Sequence, residues 1–151
     1  MTYEETLHYL YTSIPVFQHS GASAYKPGLG TSIALDDYLG NPHKAYKTIH
    51  VAGTNGKGSV SHLLAAILRQ SGFKVGLYTS PHLVDFRERI RVNGKKISQD
   101  YVVDFVERHR SFFEPLHPSF FELTSSMAFE YFRDQQVDYA VIEVGLGGRL
   151  D

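Results

Sequence analysis

The sequence contains no cysteine. A chain without cysteine cannot form disulfide bonds and cannot bind zinc through thiolates, which excludes a disulfide-stabilised scaffold and is compatible with a reducing compartment. Its eight histidines are scattered, and no two of them have the helical spacing around a glutamate that zinc proteases use. We therefore expect most of the histidines to be surface or packing residues.

The sequence also lacks an excess of charge of either sign and lacks long apolar runs. The formal net charge is -1, which gives no reason to expect nucleic acid or an acidic membrane as a partner. No apolar run approaches the ~20 residues that a membrane-spanning helix needs. The first residues, MTYEETLHYL, carry acidic side chains and do not resemble a signal peptide. These absences predict a globular protein of the cytoplasm.

Strand and helix patterns alternate along most of the chain. Apolar runs at residues 47–52, 73–78 and 137–144 predict buried strands, and Asn93-Gly94 indicates a β-hairpin within residues 89–97. Helices are predicted to begin near Thr2, which forms a capping box with Glu5, and near Thr31, Ser98 and Ser119. This order predicts an α/β fold with a mostly parallel sheet and flanking helices.

Two further helical patterns define apolar faces. One helix follows the first strand and presents a predicted buried face made of Val60, Leu63, Leu64, Ile67 and Leu68. The helix after Ser119 presents a second face made of Leu123, Met127, Tyr131 and Phe132. Both faces are expected to cover the sheet or to join the core.

The segment HVAGTNGKGS, residues 50–59, lies between a predicted strand and a predicted helix. A glycine-rich turn in this context directs backbone N–H groups towards an anion at the positive end of the helix dipole. We expect the N–H groups of Asn55, Gly56, Lys57 and Gly58 to face bound phosphate. The Lys57 ammonium would bind the terminal phosphates.

The segment departs from the general phosphate-loop pattern, G-x-x-x-x-G-K-[ST]. Val51 stands at the position of the first glycine, and Gly58 stands where a hydroxyl residue usually holds magnesium. Ser80 follows the second strand and can supply that hydroxyl, because ligands bind at the carboxyl ends of parallel strands. Glu143 ends the last strand, where a carboxylate is costly to bury without a cation. Magnesium prefers such oxygen ligands, so Ser80 and Glu143 are its predicted ligands.

Each of these predictions has a simpler structural alternative. The glycine-rich segment can be an ordinary strand-to-helix turn with a solvated lysine. Glu143 can form a salt bridge or end its strand in solvent, and Ser80 can be a turn residue before Pro81.

The sequence resembles the folylpolyglutamate synthase and dihydrofolate synthase family, within the Mur-ligase group of ATP-dependent amide-forming ligases. The resemblance rests on KPGL at 26–29, LGNP at 39–42, HVAGTNGKGS at 50–59, GLYTSPHL at 76–83, ERIRVNG at 88–94, FFE at 120–122 and VIEVGLGGRLD at 141–151. GTNGK is shared across the Mur-ligase group, whereas Gly58-Ser59 with TSPHL and EVGLGGRLD is similar to the folate branch. The resemblance implies a P-loop NTPase-like central domain of the Mur-ligase type, which binds ATP.

The resemblance also implies a reaction. ATP phosphorylates the carboxylate of dihydropteroate or the γ-carboxylate of a folate, and the amino group of L-glutamate then attacks the acyl phosphate. The protein positions the substrates and neutralises charge, with Lys57 and Mg²⁺ as the main cations. The resemblance assigns the phosphates to Gly56, Lys57, Gly58 and Ser59, and the magnesium ion to Ser80 and Glu143.

The pteroate or folate site is implied by the resemblance at Gly28, Leu29, His82, Leu83, Phe120, Phe121, Glu122, Leu150 and Asp151. Phe120 and Phe121 fit a core position as well as a contact with a flat ring. Glu122 and Ser119 also fit a capping box, which is the more economical role for Glu122. Arg87 and Arg89 are candidates for the substrate carboxylate, with a solvated hairpin arm as the alternative.

The sequence departs from the family in two places. Gly30-Thr31 stands where the family often has Glu-Arg, and the chain ends before the Thr-Asn that usually follows GGRLD. We therefore expect residues 1–151 to be part of the ATP-binding domain, without its remainder and without the C-terminal domain that helps to bind glutamate. Such a fragment would bind nucleotide phosphates but lack full ligase activity, and the intact protein would be a monomer.

Two other classes of function stay open at this stage. A P-loop kinase or nucleotide hydrolase would usually have Ser or Thr directly after Lys57, where this chain has Gly58. A non-catalytic nucleotide-binding module is the second alternative. The sequence does not distinguish dihydropteroate from folate as the acceptor.

Overall fold

The computed structural model describes residues 1–14, 29–53, 56–81 and 84–143. The chain divides into two compact units. The first unit contains Met1–Gly40 and Ser98–Met127, and the second contains Asn41–Ile97 and Ala128–Asp151. Among the described residues, no helix has the length and apolar character needed to cross a membrane.

The helices and strands follow the predicted order. The described helices are α1 (Tyr3–Ser13), α2 (Gly30–Leu39), α3 (Lys57–Gln70), α4 (Gln99–Phe113) and α5 (Phe120–Asp134). The described strands are β1 (Lys47–Val51), β2 (Val75–Tyr78), β3 (Ile90–Val92), β4 (Lys95–Lys96) and β5 (Tyr139–Glu143). Short 3-10 turns occupy Pro42–Ala45, Phe86–Arg89 and Glu114–Leu116.

Side-chain caps begin α1 and α4 in the first unit, whereas no side chain in the described part of the chain caps the start of α2. The Thr2 hydroxyl accepts the Glu5 N–H at 3.1 Å and the Glu5 carboxylate accepts the Thr2 N–H at 2.8 Å, which confirms the predicted capping box. Ser98 caps α4 by accepting the Tyr101 N–H at 3.1 Å. The C-terminal end of α2 is capped by Gly40, whose φ of 83° lies in the left-handed region that glycine adopts readily.

Aromatic side chains hold the first unit together. Tyr38 of α2 stacks on Phe112 of α4, with ring centroids 3.9 Å apart, and its hydroxyl lies 3.1 Å from His109 Nδ1. Tyr9 of α1 lies against Phe113, with ring centroids 6.4 Å apart. The buried apolar residues of this unit include Leu10, Leu35, Leu39, Val102, Phe105, Val106, Phe113, Phe120, Leu123 and Met127.

The second unit contains a mixed sheet with the strand order β1-β5-β2-β3-β4. β5 pairs in parallel with both β1 and β2, while β3 and β4 form the antiparallel hairpin that Asn93-Gly94 predicts. The register sets Val51 opposite Glu143 and Tyr78 opposite Ile142. The predicted α/β fold is therefore confirmed, with a parallel part of three strands extended by an antiparallel hairpin.

The predicted buried face of α3 is only partly correct. Leu64 and Leu68 pack with Ala65 against a core made of Val51, Val75, Leu77 and Val141. The other three predicted residues, Val60, Leu63 and Ile67, are 47%, 61% and 51% exposed. Two apolar stripes lie side by side on this helix, and the stripe that faces the sheet is partly buried while the other is exposed. For α5 the predicted face is confirmed, since Leu123, Met127, Tyr131 and Phe132 are all buried.

Phe132 of α5 and Gly76 of β2 are packed too closely for a side chain at position 76. A Cβ atom on Gly76 would lie 2.6 Å from the Phe132 ring. The glycine thus allows the ring to lie directly on the backbone of β2.

Replacing Gly76 with alanine should therefore lower the free energy of unfolding by about 1–3 kcal/mol, because the ring must shift out of a packed position. Urea denaturation would measure the loss. Gly30→Ala is the matched control, because a Cβ there meets nothing within 4 Å. The control should raise stability by roughly 0.5–1 kcal/mol, since Gly30 lies in a helix. Equal effects of the two substitutions would contradict the close packing at Gly76.

Tyr9 provides a test at alkaline pH. Burial, together with the hydrogen bond that its hydroxyl donates to Glu114 at 3.0 Å, raises the pKa of Tyr9 to about 12. The unfolded chain loses this proton near pH 10, so the folded state binds more protons between pH 10 and about 12. The contribution of Tyr9 to stability is complete below pH 10 and is lost as the pH rises through that range.

Tyr9→Phe should accordingly show a stability difference from the wild type that narrows between pH 10 and about 12. Denaturant unfolding of both proteins at several pH values would measure this difference. The other tyrosines titrate in both proteins, so their contributions cancel. A difference that is constant across this range would mean that Tyr9 does not keep its proton.

Candidate functional site

The carboxyl ends of the three parallel strands lie at one edge of the sheet in the second unit. Val51 at the end of β1 is opposite Glu143 at the end of β5, and Tyr78 at the end of β2 is opposite the preceding residue, Ile142. β1 leads into the glycine-rich segment, and β2 leads into Thr79 and Ser80. The sheet therefore brings together the strand ends that carry the predicted phosphate and magnesium residues.

Glu143 is a buried carboxylate between two of these segments. Its relative exposure is 3%, which is unusual for a glutamate side chain. The Ser80 N–H donates a long hydrogen bond of 3.4 Å to Glu143 Oε1. On the other side, a Cβ atom on Gly58 would lie 3.7 Å from Glu143 Oε2. The carboxylate thus lies between the turn after β2 and the first turn of α3.

The start of α3 gives this location a positive electrostatic character. Gly56 is the N-cap, with a φ of 72°, and no side chain of the described residues caps the helix. The first helical hydrogen bond runs from the Val60 N–H to the Gly56 carbonyl. The N–H groups of residues 57–59 precede that bond and are directed away from the helix, where the dipole favours an anion. The Glu143 carboxylate lies beside Gly58 in this turn, and a phosphate is an anion that such a helix start can bind.

The predicted phosphate residues are accessible to different degrees. Lys57 and Gly58 are half-buried, and Gly56 and Ser59 are exposed. Asn55 lies outside the described residues, as do Gly28, His82, Leu83, Leu150 and Asp151. Their predicted roles stay predictions.

The two candidate phenylalanines at the start of α5, in the first unit, differ in their exposure to solvent. Phe120 is 4% exposed and stacks on Tyr11, with ring centroids 5.3 Å apart. Phe121 is half-buried. Phe120 is therefore a packing residue in this structure, and Phe121 is the phenylalanine with surface left for a ligand.

Glu122 caps α5, as the simpler alternative predicts. Its Oε1 accepts the Ser119 N–H at 2.8 Å, and its own N–H donates to the Ser119 hydroxyl at 3.1 Å. Glu122 Oε2 accepts a hydrogen bond of 3.3 Å from the Ser32 hydroxyl of α2. This second contact places the beginning of α2, which starts after Leu29, beside the beginning of α5. The sequence does not reveal the role of Ser32, because its partner is 90 residues away.

The hairpin arginines do not form a solvated arm. Arg89 is 5% exposed. Arg87 lies 3.3 Å from the Asp85 carboxylate and donates to the Ile97 carbonyl at 3.2 Å. The prediction of a solvated hairpin arm is therefore wrong, because Arg89 is buried and Arg87 connects the segments on either side of the hairpin.

Individual proteins and solved structures similar to this chain share its fold, although no family model matches it. The dihydrofolate synthase/folylpolyglutamate synthase of Bacillus subtilis is 41% identical over 133 residues, which cover 83% of this chain and 31% of the relative. The crystal structure of the Thermotoga maritima folylpolyglutamate synthase superimposes with a TM-score of 0.87 at 48% identity, covering 99% of this chain and 34% of that one. A solved complex of a folylpolyglutamate synthase with AMPPCP and folate gives a TM-score of 0.85 at 37% identity, covering 100% and 37%.

The strand, glycine-rich turn and helix at the edge of a parallel sheet define an α/β domain of the Mur-ligase type. The chain belongs to the folylpolyglutamate synthase family. It spans about a third of the length of the relatives named above.

The two glycines at the start of α3 should respond to substitution in opposite directions. Gly56 has a φ of 72°, so Gly56→Ala should lower the free energy of unfolding by about 1–2 kcal/mol. Gly58 lies within the helix and its added Cβ makes an ordinary contact of 3.7 Å, so Gly58→Ala should raise stability by about 0.5 kcal/mol. Urea denaturation measures both changes. A stabilised Gly56→Ala variant would contradict the left-handed N-cap.

Proposed function

We propose that the complete protein is an ATP-dependent ligase that adds L-glutamate to a pteroyl acceptor, either a folate or dihydropteroate, through an acyl phosphate. The observation that carries the proposal is the position of the buried Glu143 carboxylate, between Ser80 and the first turn of α3. A charged side chain in this position calls for a cation, and the adjacent helix start favours phosphate. Both requirements are met by a nucleotide bound with a divalent metal ion.

The ATP phosphates are assigned to the segment that begins α3. Gly56, Gly58 and Ser59 offer backbone N–H groups at the positive end of the helix, with Asn55 next to them in sequence. Lys57 supplies a full positive charge at the first position of the helix and is the proposed catalytic residue. These groups bind the nucleotide and offset the charge that develops as the terminal phosphate is transferred.

Ser80 and Glu143 are the proposed magnesium ligands. Both offer oxygen atoms, which magnesium prefers, and the hydrogen bond of 3.4 Å between them brings the two residues to the same place. Among the residues that the structure describes, no three Asp, Glu, His or Cys side chains gather into a metal site. Phosphate oxygens and water would complete the coordination, as is usual for magnesium. The ion would supply charge neutralisation to the phosphates.

The acceptor is assigned to Leu29 and Phe121 in the first unit. Leu29 is 51% exposed and Phe121 is half-buried, so both have surface that a flat pteroyl ring can cover. Gly28, His82, Leu83, Leu150 and Asp151 belong to the proposed acceptor site on sequence grounds alone. Phe120 and Glu122 would support this site through packing and capping, since both are engaged within the first unit. The folate in the solved complex of a relative supports the acceptor class.

The reaction then proceeds in two steps. An oxygen of the acceptor carboxylate attacks the γ-phosphorus of ATP, which forms an acyl phosphate and releases ADP. The amino group of glutamate attacks the acyl carbon, loses a proton and displaces phosphate, which leaves an amide. No covalent bond to the protein is required, so the residues of this chain act by positioning and by charge. We assign residues 1–151 to part of the ATP-binding domain, and glutamate binding to the remaining length of a monomeric, cytoplasmic protein.

An assay of the complete protein tests this function. With ATP, magnesium, glutamate and either dihydropteroate or tetrahydrofolate, phosphate release should require both the acceptor and glutamate. Lys57→Ala should lower kcat/KM by roughly 10²-fold or more, because a charge that acts in the transition state is lost. Glu143→Gln keeps the size of the side chain and should raise the magnesium concentration needed for half-maximal rate.

Lys95→Ala is the matched control, because Lys95 is an exposed lysine in the hairpin of the same unit. It should leave all rates unchanged. Phosphate release that needs no acceptor would indicate a nucleotide hydrolase, and ATP binding without any turnover would indicate a non-catalytic module. Either result would refute the ligase.

A further inference from the structure

The first turn of α2 is held by a polar contact with α5. The Ser32 hydroxyl donates to Glu122 Oε2 at 3.3 Å, while Glu122 Oε1 accepts the Ser119 N–H at 2.8 Å. The two carboxylate oxygens therefore serve different helices. One oxygen completes the capping box of α5, and the other connects α5 to α2.

Apolar packing holds the other end of α2. Leu35 and Leu39 are 1% and 7% exposed, and Tyr38 stacks on Phe112 and lies within hydrogen-bonding distance of His109. None of residues 29–33 is buried, and Leu29 and Ile33 are 51% and 56% exposed. The beginning of α2 is therefore more exposed than its end, and a hydrogen bond to a carboxylate has a larger relative effect there.

We propose that Ser32 is a positioning residue for the pteroyl acceptor. Through Glu122, its hydroxyl sets the start of α2, and so Leu29, relative to the start of α5, which carries Phe121. The inference rests on the proposed function, in which Leu29 and Phe121 contact the acceptor. Ser32 acts through this placement and does not touch the reacting atoms.

A substitution at Ser32 should affect the binding of the acceptor without affecting the folding of the protein. Ser32→Ala removes the contact with Glu122 Oε2, but the hydrogen bonds between Ser119 and Glu122 that cap α5 are independent of it. The buried residues of α2 are also unchanged by the substitution. The cost of a less ordered first turn would therefore appear when the acceptor must select the correct position of Leu29.

Steady-state kinetics of the complete protein, with dihydropteroate or tetrahydrofolate as the acceptor, tests the proposal. Ser32→Ala should raise the KM for the acceptor by roughly five-fold, the scale expected for one partly exposed hydrogen bond to a carboxylate. The kcat and the KM for ATP should change by less than about two-fold. Ser32→Thr restores a hydroxyl at this position and should return the KM for the acceptor to near the wild-type value.

Ser71→Ala is the matched control, since the Ser71 hydroxyl also donates a hydrogen bond, at 3.0 Å to the Ile67 carbonyl, but lies at the end of α3. It should leave every kinetic constant unchanged. An unchanged acceptor KM in Ser32→Ala, a parallel rise in the KM for ATP, or a lower melting temperature with normal KM values would each overturn the positioning role. If the wild type shows no glutamate-dependent turnover, the proposed function itself fails, and this inference fails with it.

Discussion

The constraint that connects the elements of the second unit is one buried carboxyl group at the end of β5. Glu143 is 3% exposed, and its position requires the parallel pairing of β5 with β1 and β2, the turn at Ser80 and the start of α3. A carboxylate in such a place is costly unless positive groups surround it. The helix start and the Ser80 N–H meet part of this requirement, and a cation would meet the rest. The position of Glu143 therefore accounts both for the packing at this sheet edge and for its proposed affinity for a cation.

Topology explains why much of the second unit and its site could be predicted from the sequence. Parallel strands end at the same edge, so polar residues that directly follow apolar strands converge whatever the details of packing. The proximity of Ser80 and Glu143 was predictable for this reason, although the two residues are 63 positions apart in the sequence. The hairpin at Asn93-Gly94 and the caps at Thr2 and Ser98 were predictable because each depends on a few neighbouring residues.

What could not be predicted depends on side-chain contacts between distant segments. Two adjacent stripes on α3 are both apolar, and only the position of the sheet decides that Leu64 packs against the core while Leu63 is exposed. Phe120 and Phe121 are identical in type, and the ring of Tyr11 is what assigns Phe120 to the core. Periodicity alone contains no information on these partners, because it reports the spacing of apolar residues and not their neighbours.

The shared carboxylate of Glu122 has a consequence for sequence variation. Its two oxygens bind residues from two different helices, so any change at position 122 affects position 119 and position 32 together. Aspartate is too short to span the same pair of partners, and glutamine would exchange one acceptor oxygen for a donor. Position 122 is therefore constrained by both partners, and tolerated substitutions among related sequences should covary between positions 122 and 119 and between positions 122 and 32. A defect caused by mutation of Glu122 would combine a frayed helix with a displaced one, and so would not by itself identify a ligand contact.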